Sequence, residues 1–105
     1  MMNETILAAL LAKAKLILRI TTTVFDAEIE DIIKAGWLDL TTRGVVIPVD
    51  DENNVDPLVV RAIMTYVRFH FGEPDNPDKF RKSYNEQRGQ LMSTTGYTSW
   101  GDNNG

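Results

Sequence analysis

Apolar residues recur at three- and four-residue spacing in four separate stretches of the chain, and each stretch predicts a helix. The first runs from Asn3 to about Arg19, with Ile6, Leu7, Leu10, Leu11, Ala14, Ile17 and Leu18 along one side. Asn3 and Glu4 suit its N-terminal cap and first turn. Leu16 and Ile20 widen the apolar stripe beyond what one packed face needs. It lies either deep in the subunit's own core or partly beneath a neighbouring subunit.

The β-branched and hydroxyl run Ile20-Thr21-Thr22-Thr23 breaks that period, and Thr22, Thr23 or Asp26 can cap a second helix. Its first turns carry Asp26, Glu28, Glu30 and Asp31, which oppose the positive end of the helix dipole. Ile29, Ile32, Ile33, Gly36, Trp37 and Leu40 form its apolar face, and Arg43-Gly44 stops it. Val45 to Val49 then reads as a short extended segment, confined by Pro48 to an edge or a loop. An acidic loop, Asp50-Asp51-Glu52-Asn53-Asn54, follows.

Asp56-Pro57 is the clearest start signal in the chain, an N-cap followed by proline at the first helical position. Leu58, Val59, Val60, Ile63, Met64, Val67 and Phe71 make the third helix the most apolar, hence the expected core helix, and Gly72 ends it. Asn76-Pro77 repeats the signature and opens a fourth helix. Phe80, Tyr84, Gln87 and Leu91 lie along one of its sides, and Lys79, Arg81, Lys82 and Arg88 decorate the others. Gly89 inside it costs about 1 kcal/mol relative to alanine. Beyond Met92 the pattern vanishes. The expectation is an all-α chain, a small bundle of about four helices with a loop or short extended segment between helices 2 and 3. Residues 1–93 form the helical domain, and residues 94–105 form an irregular, flexible C-terminal tail.

Composition adds boundaries rather than detail. A chain of 105 residues with 43% hydrophobic and 25% charged positions is one folded domain, not a disordered segment. It has no cysteine, which excludes disulfide scaffolds, zinc ribbons and thiol chemistry. Its first apolar stretch is interrupted by Lys13, Lys15 and Arg19, is too short and charged to span a bilayer, and does not have the order of a signal peptide. The net charge is −4, and all of it falls in the front half. Residues 1–55 hold five Lys and Arg against nine Asp and Glu, whereas residues 56–105 hold six of each. An acidic front half is poor material for gripping phosphates.

Catalytic sets fail on residue type or spacing. There is no GxSxG elbow, no P-loop and no GxGxxG turn. The single histidine, His70, sits between Phe69 and Phe71 in the most apolar helix, where a packed or interface histidine is the plainer reading than a general base. The Asp50-Asp51-Glu52 cluster with Asp56 lacks the ligand order, mid-loop glycine and closing glutamate of a calcium loop. No enzyme activity, metal or cofactor is expected.

The features left over are surfaces. Lys79, Arg81, Lys82 and Arg88, with Tyr84 among them, form either a solvated face, a DNA contact, or the partner of the acidic helix face Asp26, Glu28, Glu30 and Asp31 across a subunit boundary. Complementary faces on one molecule are what a head-to-tail ring requires. Tyr97 and Trp100 either pack back on their own domain or dock on a neighbouring protein, as residue types that anchor such contacts do.

The order of these pieces resembles the head–tail connector family of tailed bacteriophages, a group also labelled DNA-packaging proteins. The resemblance is carried by Leu18-Arg19-Ile20, by Phe25 through Ala35, and by Asp39 through Val45. Asp56 through Ile63 with the aromatic run Tyr66 to Phe71 resembles the family's central helix, and Tyr84 to Leu91 with Gly96-Tyr97 its last helix and tail. The resemblance implies a structural virion protein at the head–tail junction, assembled in the bacterial host cytoplasm. Its subunits would form a ring under the portal, extend the DNA channel and dock the next head-completion or tail protein. Its partners would be itself, the portal and that downstream protein, with genome DNA passing unread and no membrane involved. The alternative is a small helical regulator that binds DNA or a host protein, drawing on the basic fourth helix and the short joint from Gly72 to Pro77.

Overall fold

Local start signals place three of the four helices. The computed structural model describes residues 2–93, which form α1 (Glu4–Leu18), α2 (Asp26–Thr42), α3 (Pro57–His70) and α4 (Pro77–Ser93). Asn3 caps α1, its side-chain oxygen accepting the Ile6 amide at 2.8 Å. Asp56 does the same for α3, accepting the Leu58 amide at 2.9 Å, with Pro57 at the first helical position. Asn76 accepts the Lys79 amide at 3.3 Å ahead of Pro77.

The start of α2 departs from expectation. Neither Thr22, Thr23 nor Asp26 caps it, because the N-cap position is Phe25, which offers no side-chain hydrogen bond. Thr22 instead accepts the Val24 amide, and the Asp26 amide donates to the Thr23 carbonyl. An apolar contact fixes the entry, with the Phe25 ring edge-on to Phe71 at 5.6 Å. Lys15 of α1 pairs with Asp26 at 2.8 Å and braces the same corner.

Between α2 and α3 the chain is extended and includes an antiparallel bridge between Val49 and Val55. The acidic loop inside that bridge is organised by Asp50. Its carboxylate accepts the Glu52 and Asn54 amides and the Asn54 side chain. Those bonds, the Asn54 amide first, lower the Asp50 pKa from its ordinary value. Asn53 takes the left-handed conformation that closes the turn.

The third helix is the core helix, as expected, although α1 is on average the more apolar and α3 is set apart by gathering its apolar residues on one face. It packs against α1, α2 and α4. Val59, Ile63 and Val67 are fully buried, together with Ile6 and Leu10 of α1 and Ile29, Ile33 and Leu40 of α2. The wide stripe of α1 is mostly absorbed internally. Leu7, Leu11, Ile17, Leu18 and Ile20 pack half-buried against the core, and Leu16 alone of that set stays out at 78% exposure. Trp37 joins the core.

Gly36 lets α2 and α3 close on one another. A Cβ there would meet the Tyr66 ring at 3.0 Å. Gly36→Val is therefore expected to cost ~1–3 kcal/mol by overpacking. Urea unfolding would check it, and an unchanged midpoint would show that Tyr66 can step aside. The fourth helix buries only Tyr84 and Leu91 and runs through Gly89 without a break. A Cβ at Gly89 would meet nothing within 4 Å. Gly89→Ala should thus raise the subunit's own stability by roughly 0.5–1 kcal/mol, read as a higher urea midpoint at unchanged slope. A lower midpoint would contradict this account of the position.

Candidate functional site

The charged residues singled out on α2 and α4 divide into two groups once the chain is folded. Two of them are engaged inside the subunit. Asp26 is held by Lys15, and Arg88 donates to Asp39 on α2 at 2.9 Å. The Arg88 guanidinium also lies over the Tyr84 ring, 5.4 Å from its centre. The others point outward. Glu28 and Asp31 on α2 and Lys79, Arg81 and Lys82 on α4 are all exposed, and Glu30 is half-buried beside α1. Arg81 pairs weakly with Asp78 at 3.4 Å, one turn away, and the Lys79 ammonium sits 5.9 Å from the Phe80 ring centre. Among the described residues, Glu28, Asp31 and Lys82 make no ion pair. Tyr97 and Trp100 lie outside the described residues.

The seam between α2 and α4 is held by a polar cluster centred on Asp39, a residue the sequence pattern passed over. The Tyr84 hydroxyl donates to Asp39 Oδ2, which also accepts Arg88, and Arg43 lies 3.6 Å from Oδ1. Burial works against ionising Asp39, but the bonds from Tyr84 and Arg88 and the charges of Arg88 and Arg43 outweigh it. Its pKa falls below the ordinary value. Burial and the Asp39 contact push the Tyr84 pKa up. Asp39 is thus held ionised and Tyr84 neutral around neutral pH, so neither is poised to exchange a proton with a substrate. The cluster is a clamp.

Tyr66 extends it, its ring 5.1 Å from Tyr84 and 4.2 Å from His70. Burial lowers the His70 pKa, with Asp39 pulling the other way. The imidazole leans on Phe69 as well, at 4.5 Å. One signal could have found the clamp. Asp39 and Arg43, like Tyr84 and Arg88, stand four residues apart on their helices.

What remains is a helical subunit whose unpaired chemistry lies in exposed helix faces, with no group of three or more His, Asp or Glu placed to hold a metal ion among the described residues. No helix among them is long and apolar enough to cross a membrane. Against known families, the model described as "Phage connector protein" matches residues 10–98. The chain belongs to the phage connector protein family. The match runs from the middle of α1 through all of α4, so most of the connector's core and all of its clamp and charged faces fall within it. No curated protein and no solved structure matches the chain.

Membership makes the connector a structural component of a phage particle, in a family that is not enzymatic and whose members associate with the portal and other phage proteins. In this geometry Asp39 ties α2 to α4.

Proposed function

We propose that this connector subunit assembles head-to-tail into a ring beneath the portal, continues the DNA channel, and presents a docking surface to the next head-completion or tail protein. The observation that carries this reading is the pair of opposed, outward-facing charge sets on one subunit. Glu28 and Asp31 stand on α2, and Lys79, Arg81 and Lys82 stand on α4. Two different, complementary faces generate a heterologous contact, and a heterologous contact closes into a ring when its rotation allows. Asp26 and Arg88 flank these faces, held by Lys15 and Asp39 within the subunit, and half-buried Glu30 lies beside them on α2. Tyr97 and Trp100 supply aromatic anchors for a neighbour.

The net charge of −4 supports passage of DNA rather than capture, because a wall with few clustered cations offers phosphates little to hold. The ring would sit at the head–tail junction of the virion, after assembly in the host cytoplasm. The test is to mix the purified full chain with its portal protein and image the complex by electron microscopy, alongside light scattering and a salt series of DNA binding. A ring stacked on the portal, with negligible affinity for DNA, is the expected result. A discrete monomer or dimer that ignores the portal and binds DNA steeply with falling salt would favour the regulator instead.

A further inference from the structure

Gly89 has no explanation within the subunit. It lies in the interior of α4, does not take a left-handed backbone, is exposed, and has open space where a side chain would be. Glycine there costs the helix stability that alanine would restore. A notch on an outer helix face is useful when another chain approaches it closely.

The outer face of α2 carries a matching projection. Leu38 is 64% exposed, an apolar side chain with no cover from its own core. It lies on the same stripe as Glu28, Asp31 and Ala35, spaced three, four and three residues apart and all exposed. The stripe through Gly89 on α4 has the same spacing: Lys79, Lys82, Glu86 and Gly89, again all exposed. Each α4 position follows its α2 counterpart by 51 residues. With the two helices laid parallel, Glu28 meets Lys79 and Asp31 meets Lys82. Glu86 meets Ala35 within reach of the adjacent Lys34, and Leu38 meets the notch at Gly89. The reversed direction would set Glu28 against Gly89 and Asp31 against Glu86, discarding the match.

We infer that α2 of one subunit packs parallel onto α4 of a second copy of this chain, with Leu38 seated over Gly89 and the acidic turn of α2 against Lys79 and Lys82. The inference rests on the ring reading and specifies its subunit contact. Side chains at three- and four-residue spacing on facing helices interlock at a shallow crossing angle, and glycine permits the closest approach. From Glu28 to Leu38 the helix rises about 15 Å, and a contact of that length buries less than the ~1,200–2,000 Å² of a stable pairwise interface. Closure of the ring, in which every copy is held on two sides, supplies the rest.

The chain has no cysteine, so an engineered pair reports the contact without background. Leu38→Cys and Gly89→Cys are made in separate full-length chains, both at exposed positions, and circular dichroism checks that each keeps its fold. On mild oxidation the mixture should give a disulfide-linked heterodimer. Each variant alone should stay largely unlinked. Lys82→Glu in the Gly89→Cys chain should cut the yield several-fold, and Asp31→Lys in the Leu38→Cys chain should restore it. Equal linking of Leu38→Cys with itself would indicate a two-fold contact and overturn the inference. No linkage in the mixture would overturn it as well. If wild-type rings nevertheless form on the portal, the ring reading stands and only this contact fails. If the mixed disulfide forms but no ring does, the contact holds and the ring reading fails.

Discussion

Ile63→Ala is expected to remove about 2–5 kcal/mol of stability, the range measured for truncating a buried isoleucine to alanine. The residue is fully buried near the middle of α3, the helix that touches the other three. It belongs to the same buried cluster as Ile29, Ile33, Leu40 and Val59, so its truncation leaves a void in packed core. Domains of this size are stable by roughly 5–15 kcal/mol, so one truncation takes a large share of the total. The comparison that decides the matter is Leu16→Ala in α1. Leu16 is as apolar but 78% exposed, and its loss should stay within about 0.5 kcal/mol. Urea unfolding of the two variants side by side gives the answer. Equal losses would mean that α3 is not the centre of the core.

That contrast also shows which features were legible in the sequence. A start signal such as Asp56-Pro57 acts on amides two residues away, so the local sequence contains the whole interaction. The burial of α3 was readable for a related reason. Its apolar positions gather on one face, which the fold must cover. The stripe of α1 was ambiguous because width alone does not say who covers it, and in the fold the subunit's own core covers most of it.

The clamp was hidden by distance. Asp39 finds Tyr84 and Arg88 across 45 and 49 positions of sequence, and no periodicity within α2 announces partners on another helix. Arg88 consequently read as one more surface cation beside Lys79, Arg81 and Lys82. The start of α2 was misjudged for the same reason. Phe25 serves in place of a polar cap because Phe71, brought up from the far end of α3, supplies its contact. The connector role was legible through resemblance, and the charge stripes on α2 and α4 were legible as charges. Their common three-four-three spacing acquired meaning only when both faces proved to be exposed.

Removing the centre of the clamp has the second large effect. Asp39→Ala is expected to cost about 1–3 kcal/mol, because the Tyr84 hydroxyl and the Arg88 guanidinium then lose their acceptor in a largely covered place. Tyr84 is 4% exposed, and the side chains of Arg88 and Asp39 are 19% and 25% exposed. That partial access keeps the cost below what a fully buried charge would incur. Arg43, half exposed at 3.6 Å, adds a few tenths at most. Acid should reproduce part of the mutation. The folded-state pKa of Asp39 lies below its unfolded value, so its contribution is complete above the unfolded pKa and is lost as pH falls through the folded one. Wild type should therefore lose more stability than Asp39→Ala between about pH 5 and pH 2. Parallel acid limbs would show that Asp39 is not the group responsible. At the other end, the raised Tyr84 pKa makes its contribution complete below the ordinary tyrosine range and lost as pH climbs above it. Tyr84→Phe should flatten that alkaline limb. A double-mutant cycle of Asp39→Ala with Arg88→Ala should give a coupling of roughly 1 kcal/mol or more, as contacting residues in one network do. A coupling near zero would mean that α4 is held to α2 by something other than this pair, and that the outward aim of Lys79 and Lys82 does not depend on it.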